Sequence, residues 1–327
     1  MQQLPERPTR MSLTGLYDLP APAKINLFLH VVGRRADGYH LLQSVFVPID
    51  WADTLHIERL PDGRLERVDL GPALPRDDLC LRAARALQQA SGTAWGARIL
   101  VDKQVPWGAG LGGGSSDAAT TLIALNRLWG LGWPRPRLAE LGLKLGADVP
   151  FFLGRGPAFV EGIGELLTPL HVPALPLAVV KPPQSLPTPE IFGHPALKRD
   201  TEPVMISGSF DGAAQAVAAP RQDARGAGAV NWPAEWGAVT AGFGRNDLQP
   251  PAEDRCPAVA DAVAWLVRRY GNGRMSGSGS AAFAHVAEDG DGGSSMATFP
   301  QGDLPAGWVG RHCRSLQALP LAAWLAD

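Results

Sequence analysis

Hydrophobic residues alternate with other residues in a segment near the start of the chain. Within residues 23–32, the apolar side chains that fall on one face of an extended strand are Ile25, Leu27, Leu29 and Val31. Lys24 lies in the same segment, and a lysine in an apolar strand must pair with an acid or reach solvent. Related patterns predict further strands at 45–49, 54–57 and 98–101. The first part of the chain is therefore rich in β-structure.

Segments with helical spacing follow. They are predicted at 79–87, 118–128, 137–145 and 259–270. Asp77 or Asp78 can cap the first of these helices, Ser115 or Ser116 can cap the second, and Gly146 ends the third. Short strands are predicted at 151–152, 158–160, 177–180 and 281–286.

This order of elements predicts an α+β fold in two domains. A chain of 327 residues is also too long for one ordinary core. We divide it into a flexible leader at 1–19, an N-terminal domain at 20–168 and a C-terminal domain at 169–327. Residues 200–240 are rich in Ala, Gly, Ser and Pro, which predicts an insertion or a mobile loop within the second domain.

Composition narrows the class of function. The formal net charge is -2, which argues against a nucleic-acid partner because such proteins need a basic surface to neutralise phosphates. No apolar run reaches the ~20 residues of a spanning helix, so no membrane partner is expected. The three cysteines, Cys80, Cys256 and Cys313, are far apart in sequence. They indicate free thiols and a cytoplasmic protein.

A glycine-rich stretch at 106–117 carries the main chemical signal. Five of its residues have no side chain: Gly108, Gly110, Gly112, Gly113 and Gly114. Consecutive backbone N–H groups can therefore turn inward and hold an anion. The following helix adds the positive end of its dipole, and Ser115 and Ser116 add hydroxyl donors. The stretch predicts a phosphate site.

Three other phosphate-binding patterns do not fit this stretch. The Walker A motif needs a lysine after the last glycine, where this chain has Ser115. Gly108, Gly110 and Gly113 have the spacing of the dinucleotide-binding fingerprint. However, no acidic residue follows about 20 residues later to bind a ribose. A protein kinase needs His-Arg-Asp and Asp-Phe-Gly strings, and the sequence contains neither.

The stretch from Pro106 to Ser116 instead resembles, residue by residue, the phosphate loop of the GHMP kinases, a family that includes galactokinase and the homoserine and mevalonate kinases. The resemblance implies a two-domain fold, with an N-terminal domain like domain 2 of ribosomal protein S5 and a ferredoxin-like C-terminal domain. It also implies ATP as co-substrate. The ATP-binding residues that it implies are Lys103, Pro106, Trp107, Gly108, Ala109, Gly110, Leu111, Gly112, Gly113, Gly114, Ser115 and Ser116.

Other segments resemble one branch of that family, whose small-molecule acceptor carries a cytidine diphosphate group. Residues 22–30 and 33–43 resemble its N-terminal signature, and residues 145–152 resemble its catalytic-aspartate segment. Residues 275–280 occupy the position of the third family motif. Two of them, Gly277 and Gly279, are expected to pack beside the phosphate loop. In total the resemblance covers about 20–200 and 243–290.

The resemblance implies roles for six side chains. Asp148 would be the base for the acceptor hydroxyl, while Lys24 would orient that hydroxyl and stabilise the transferring phosphoryl group. The substrate-binding residues would be Asn26, Tyr39, His40 and Phe192. Of these, Tyr39 and His40 offer a stacking surface and hydrogen-bonding groups for cytosine, Phe192 offers a second aromatic face, and Asn26 lies near the reacting alcohol.

Several points stay open at this level. Lys103 reaches adenine or phosphate, or it is an ordinary surface lysine. Asp78 stands where relatives often carry Asn, which leaves an adenine contact there undecided. Mg²⁺ is expected because it bridges nucleotide phosphates, and Ser116 is the nearest hydroxyl. Glu140 does not match the metal-binding glutamate of other members, so the metal ligands are not assigned.

The sequence also leaves a monomer or a homodimer open, and two other functions compete. A homoserine or mevalonate type of kinase is opposed by Tyr39 and His40, because those kinases have no cytosine to recognise. A non-catalytic nucleotide-binding regulator is opposed by Lys24 and Asp148, which such a protein does not need.

Overall fold

The structure is a computed structural model that describes residues 13–71, 73–76, 78–207, 229–231, 244–287 and 299–327 of the chain. Strands and helices are arranged in two layers of sheet with helices packed on them. Within the described residues, no helix is both long enough and apolar enough to cross a membrane.

A six-stranded sheet forms the first layer. Its strands are β1 (Gly15–Arg34), β2 (His40–Leu60), β3 (Leu65–Asp69), β4 (Gly96–Asp102), β5 (Ala158–Glu161) and β6 (Leu166–Pro169). The order across the sheet is β3-β4-β2-β5-β6, with β1 also paired to β2. Only the β3–β4 pair of this sheet is parallel. Four register shifts interrupt the long β1–β2 ribbon, and such shifts bend and twist a strand.

Four helices belong to this layer: α1 (Leu79–Ser91), α2 (Gly113–Leu128), α3 (Arg135–Leu143) and α4 (Val149–Phe152). The central helix is α2, which is buried on nearly all sides. Small residues such as Ala118 and Ala124 let it approach its neighbours closely, and Leu122 and Leu125 fill the core. A helix that is buried on nearly all sides is typical of a domain interior.

The second layer is a four-stranded sheet with the order β10-β11-β7-β12. The elements of this half are β7 (Pro176–Lys181), α5 (Thr188–Phe192), β8 (Met205–Ser207), β9 (Ala229–Asn231), α6 (Gln249–Arg255), α7 (Pro257–Tyr270), β10 (Arg274–Met275), β11 (Ala282–His285) and β12 (Val309–Arg314). β8 and β9 pair in parallel as a separate ribbon. Two 3₁₀ turns lie at Gln301–Asp303 and Ala322–Trp324.

Both layers share one buried seam. Ile25 and Val47 from the β1–β2 ribbon pack with Val179 of β7 and Phe283 of β11. The end of the chain returns to the first layer, where Leu319, Leu321 and Leu325 are buried in its core. Some residues of the predicted C-terminal domain thus pack with the N-terminal one, and the proposed boundary between 168 and 169 stays a prediction.

Some expectations for individual segments are wrong. β1 begins at Gly15 and Leu19 is buried, so the leader predicted at 1–19 is too long. Residues 1–12 lie outside the described part of the chain, as does most of the predicted insertion at 200–240. The strands predicted at 45–49 and 54–57 are one strand, β2, because Ala52 and Asp53 between them continue the ladder with β1.

Two helix starts also differ from the prediction. The residues predicted as a strand at 151–152 form α4, since Pro150 suits a first helical turn and both phenylalanines reach the core. Helix α2 begins at Gly113 after Gly112, and neither Ser115 nor Ser116 caps it. By contrast, the cap of α1 is confirmed, because Asp78 Oδ1 accepts a hydrogen bond from the N–H of Leu81 at 3.1 Å.

Candidate active site

The glycine-rich stretch forms a tight loop between β4 and α2. Gly108, Gly110 and Gly112 have positive φ values of 55°, 70° and 70°, a conformation that costs other residues about 1–2 kcal/mol. Space excludes a side chain as well, because a Cβ on Gly110 would lie 2.3 Å from the carbonyl oxygen of Ser276. The loop therefore needs glycine for its conformation and for its packing.

A turn between β10 and β11 holds the loop in this shape. The N–H of Ala281 donates to the carbonyl oxygen of Ala109 at 3.1 Å, and the Ser276 hydroxyl donates to that of Gly110 at 3.3 Å. A Cβ on Gly277 would lie 2.7 Å from the Gly110 oxygen. A Cβ on Gly110 would likewise approach the nitrogen of Gly279 to 2.9 Å. The prediction that Gly277 and Gly279 pack beside the phosphate loop is confirmed.

Helix α2 starts directly after the loop, with its positive end facing it. Its first backbone hydrogen bond runs from the N–H of Ser116 to the carbonyl of Gly112 at 2.9 Å. The N–H groups of Gly113, Gly114 and Ser115 therefore precede the helical ladder. The Ser116 hydroxyl is buried and has no hydrogen-bond partner in the part of the chain that is described. Donors and dipole together make this point suitable for an anion, and binding of ATP there stays a prediction.

The predicted catalytic pair lies against the same loop. Lys24 Nζ and Asp148 Oδ2 are 3.6 Å apart, and the N–H of Lys24 donates to the carbonyl oxygen of Leu111 at 2.9 Å. A Cβ on Gly112 would lie 3.1 Å from the Cγ of Lys24, so the lysine side chain passes directly beneath the loop. Lys24 is buried, whereas the Asp148 side chain is 31% exposed and can meet a ligand.

Asp148 owes its position to the start of α4. It stands immediately before this short helix but makes no capping hydrogen bond through its side chain. Phe151 and Phe152 anchor the helix in the core of the first layer. The carboxylate is thus fixed by a rigid element and remains available to Lys24.

The Lys24 ammonium has further partners. It donates to Asn26 Oδ1 at 2.6 Å and lies 4.6 Å from the centre of the Phe46 ring. Burial lowers the pKa of Lys24, and the nearby Asp148 carboxylate opposes that shift. Asn26 Nδ2 donates to the Ser44 hydroxyl at 3.0 Å, which turns the amide oxygen toward Lys24. Asn26, predicted as a substrate ligand, therefore orients the lysine.

A cavity of about 210 Å³ opens on the other side of the loop. It is lined by Leu74, Pro75, Asp78, Leu79, Cys80, Trp107 and Gly114. Trp107 is 53% exposed, and the mainly apolar lining suits a flat ring such as a nucleotide base. The Asp78 carboxylate at its wall caps α1 and also pairs with Arg67 Nη1 at 3.1 Å, so protein groups already engage it.

Of the predicted base-binding residues, Tyr39 directly precedes β2, His40 is its first residue, and Phe192 lies at the end of α5. The rings of His40 and Phe192 stack, with centroids 5.1 Å apart and 26° between their planes. Arg199 Nε donates to His40 Nε2 at 3.0 Å. Tyr39 is 61% exposed. The structure brings His40 and Phe192 together and leaves Tyr39 on the open rim.

Known proteins resemble this chain over nearly its whole length. Residues 78–156 match the GHMP kinases N terminal domain, and residues 229–293 match the GHMP kinases C terminal domain. A 4-diphosphocytidyl-2-C-methyl-D-erythritol kinase of Methylibium petroleiphilum is 57% identical over 315 residues, which cover 96% of this chain and 99% of the relative. The chain belongs to the 4-diphosphocytidyl-2-C-methyl-D-erythritol kinase family.

Other members of this kinase family agree with that placement. The Paracidovorax citrulli kinase is 51% identical, covering 95% of this chain and 98% of its own. The crystal structure of a 4-(cytidine 5'-diphospho)-2C-methyl-D-erythritol kinase has a TM-score of 0.64 at 36% identity, covering 82% of this chain and 89% of that one. The Methanococcus jannaschii mevalonate kinase, with a TM-score of 0.58 at 13% identity and coverage of 94% and 100%, shares the fold. The predicted two-domain α+β GHMP kinase fold is confirmed.

In this member of the kinase family, Lys103 lies under the phosphate loop rather than on the surface. Its side chain is 10% exposed, and its ammonium is bound by Asp53 and by Asp117 Oδ2, the latter at 2.7 Å. A Cβ on Gly113 would lie 3.4 Å from Lys103 Nζ. The alternative of an ordinary surface lysine is therefore wrong, and a contact of Lys103 with ATP stays a prediction.

The two carboxylates beside Lys103 are not equivalent. Asp53 Oδ1 also accepts the backbone N–H groups of Gln104 at 2.6 Å and Val105 at 2.7 Å, whereas Asp117 Oδ1 has no partner within the described residues. Burial raises the pKa of Asp117 to about 8, with Lys103 opposing the rise and Asp53 adding to it. The two carboxylates thus share one ammonium group but differ in the rest of their hydrogen bonds.

A second buried lysine supports the loop from the side of β7. Lys181 Nζ donates to three successive carbonyl oxygens, those of Pro182 at 2.8 Å, Pro183 at 3.3 Å and Gln184 at 3.0 Å. This segment contacts the phosphate loop, because the Ser185 hydroxyl donates to the carbonyl of Trp107 at 3.2 Å. Burial lowers the pKa of Lys181.

Three of these supporting residues had no prediction from the sequence. Asp53 and Lys181 lie in apolar strands, the same signal that singled out Lys24, and applying it throughout would have found them. Arg199 lies in a loop between α5 and β8, where an arginine is ordinary. No local pattern marks it, because its partner His40 is distant in sequence.

Proposed function

We propose that this chain transfers the γ-phosphoryl group of ATP to the 2-hydroxyl of 4-diphosphocytidyl-2-C-methyl-D-erythritol, a step of the non-mevalonate route to isoprenoid precursors. One observation carries the proposal: the Lys24–Asp148 pair lies against the glycine loop, with the lysine side chain directly beneath Gly112. A phosphate held by the loop and an alcohol held by the pair would then be neighbours.

Phosphoryl transfer from ATP to an alcohol needs no covalent intermediate with the protein. The acceptor oxygen forms a bond to the γ-phosphorus, the bond from that phosphorus to the bridging oxygen of ADP breaks, and the hydroxyl proton passes to the Asp148 carboxylate. A positioned base of this kind contributes about 10²–10⁴-fold. Lys24 supplies positive charge where negative charge is shared among the phosphoryl oxygens, and Asn26 fixes its direction.

The acceptor side has room for an extended molecule. His40 precedes Ser44 by four residues of β2, about 13 Å of strand, and Ser44 is linked through Asn26 to Lys24. A ligand whose base lies at His40 and whose alcohol lies at Lys24 must therefore be long. A nucleoside diphosphate joined to a small polyol fits that description, whereas homoserine and mevalonate do not.

Mg²⁺ belongs to the same proposal. Within the described residues, no group of three His, Cys, Asp or Glu side chains is placed to hold a metal, so the ion would be held chiefly by phosphates and water. The buried Ser116 hydroxyl, which lacks a partner in that part of the chain, is the protein oxygen that fits it. When bound, the ion neutralises charge on the β- and γ-phosphates.

An ADP-release assay with three acceptors tests the proposal. The purified chain is given ATP and Mg²⁺ with the cytidyl substrate, homoserine or mevalonate, and the Asp148→Asn variant measures background hydrolysis of ATP. We expect turnover with the cytidyl substrate alone. Comparable turnover with homoserine or mevalonate would overturn the acceptor assignment, and turnover with none of them would overturn the proposed reaction.

Location and assembly are the least constrained parts of the proposal. Cys80, Cys256 and Cys313 are all free and buried, which supports a cytoplasmic protein. We propose that it acts as a monomer or a homodimer. Sedimentation of the purified chain at several concentrations distinguishes the two states.

A further inference from the structure

Arg199 holds the imidazole of His40 through a single directed hydrogen bond. Its Nε donates to His40 Nε2 at 3.0 Å. The rest of its guanidinium is fixed by backbone carbonyl oxygens, those of Leu197 at 2.9 Å, His194 at 3.0 Å and Phe192 at 3.1 Å. The side chain is thus held by the end of α5 and the loop after it, and its Nε–H group faces His40.

This contact decides where the proton of His40 resides. A guanidinium has donors and no acceptor, so His40 Nε2 must present its lone pair to Arg199. In a neutral imidazole the other nitrogen then carries the hydrogen. His40 Nδ1 has no hydrogen-bond partner in the described part of the chain, and the side chain is half-buried. His40 therefore offers one fixed N–H donor.

We propose that Arg199 is a positioning residue that locks His40 as the Nδ1–H tautomer, and that this fixed donor makes the site select cytosine over uracil. N3 of cytosine is a hydrogen-bond acceptor, whereas N3 of uracil carries a hydrogen. An imidazole that cannot change its tautomer donates a hydrogen bond to N3 of cytosine and is repelled by the N3–H group of uracil. The inferred selectivity for cytosine rests on the proposed function, whereas the inferred tautomer of His40 is independent of it.

The charges around the ring agree with a neutral imidazole. Burial lowers the pKa of His40, and the positive charges of Arg199 and Arg34 lower it further. The two arginines act differently on the ring. Arg34 Nε donates to the carbonyl of Gly38 at 3.1 Å and influences His40 only through its charge. The Arg34→Met variant is therefore a matched control that removes a charge and keeps the hydrogen bond to Nε2.

NMR of the ¹⁵N-labelled full-length chain tests the tautomer directly. Two-bond ¹H–¹⁵N correlations report which ring nitrogen carries hydrogen, and the His40→Gln variant assigns the signals. We expect a protonated Nδ1 in the wild type and in Arg34→Met, and exchange between tautomers in Arg199→Met. A protonated Nε2 in the wild type, or an unchanged tautomer in Arg199→Met, would overturn the proposal.

Steady-state kinetics test the selectivity. The ADP-release assay is run with the cytidyl substrate and with its uridyl counterpart. We expect Arg199→Met to raise KM for the cytidyl substrate about tenfold, the scale of one mispaired buried hydrogen bond, with a much smaller change in kcat. The preference for cytidyl over uridyl should fall by a similar factor, and Arg34→Met should retain it.

A purely structural role for Arg199 predicts a different result. Loss of the loop anchor alone would raise KM for both nucleotides equally and leave their ratio unchanged, which contradicts the proposal. If the wild type phosphorylates neither acceptor, the proposed function fails, and the NMR measurement still decides the tautomer.

Discussion

The proposed phosphate-binding and base-binding ends of the site differ in the groups that form them. At the proposed phosphate end, the surface consists of glycines and backbone amides, and close packing against Ser276 leaves no space for a side chain at Gly110. At the base end, side chains do the work, since His40, Phe192 and Arg199 come from separate segments and meet through a ring stack and one hydrogen bond.

This contrast affects tolerance to change. A backbone cradle depends on conformations that almost only glycine adopts without strain, so most substitutions there damage its shape. A side-chain cluster can lose one member and keep its shape, and what it loses is recognition of one ligand. A single substitution at the phosphate end should therefore impair nucleotide binding as a whole. A single substitution at the base end should impair only recognition of the acceptor.

The largest effect is expected between the two ends. Asp148→Asn removes the proton acceptor and leaves both binding surfaces intact, so kcat in the ADP-release assay should fall by about 10² or more. ATP affinity, measured by calorimetry, should stay within about twofold because the loop is unchanged. An unchanged kcat with the cytidyl substrate would remove Asp148 from the chemistry.

At the phosphate end, Gly110→Ala tests the backbone cradle. The added Cβ meets the Ser276 carbonyl oxygen at 2.3 Å in a strained conformation. We expect KM for ATP to rise at least about tenfold and the free energy of unfolding to fall by about 1–2 kcal/mol. Gly302→Ala is the control, because nothing lies within 4 Å of its added Cβ. Equal ATP affinity in the two variants would contradict a preformed loop.

At the base end, His40→Ala should act on one ligand only. It removes the ring that stacks on Phe192 and the donor held by Arg199. KM for the cytidyl substrate should rise about tenfold, the scale of one lost buried hydrogen bond, while KM for ATP stays unchanged. A matching loss of ATP affinity in the same assay would mean that the two ends are not independent.

The last prediction concerns the pH dependence of stability, and it is made at the acid beneath the loop. The pKa of Asp117 is raised to about 8 by burial, above the value of about 3.9 for an unfolded chain. Its stabilisation is therefore complete below pH 4 and is lost as pH rises through 8. Asn cannot titrate, so the stability of the wild type relative to Asp117→Asn should fall with rising pH, by at most about 1.4 kcal/mol per pH unit.

Urea unfolding of both proteins from pH 5 to pH 9 measures this difference. Asp303→Asn is the control, because the Asp303 side chain is 57% exposed and pairs with Arg269 at the surface. A stability difference that does not depend on pH would show that folded Asp117 is ionised, with Lys103 shared equally between two carboxylates.

The sequence predicted the phosphate end far better than the base end. Loop, helix and third motif leave local patterns, because positive φ values and close backbone contacts select glycine at fixed spacing. Tyr39, His40 and Phe192 could be named only from the resemblance. Arg199 could not be named at all, since a bond between distant loops leaves no periodic trace.

Local patterns also failed where tertiary packing decides the conformation. The two phenylalanines at 151–152 suit a strand by propensity, but Pro150 and the core around α2 favour a helical turn there. Ser115 and Ser116 have good capping side chains, yet the tight turn at Gly112 starts the helix earlier. Asp53 was missed because its partners, Lys103 and the following amides, come from the segment after β4, which is distant in sequence.

The contact between Gly110 and the Ser276–Gly277 turn has a consequence for the newly made protein. The turn is translated long after the loop. A growing chain that has passed β6 therefore contains every residue of the glycine-rich loop but lacks the turn that packs against it. We expect a nascent chain to acquire its nucleotide only when the ribosome has delivered the turn that ends at Ala281.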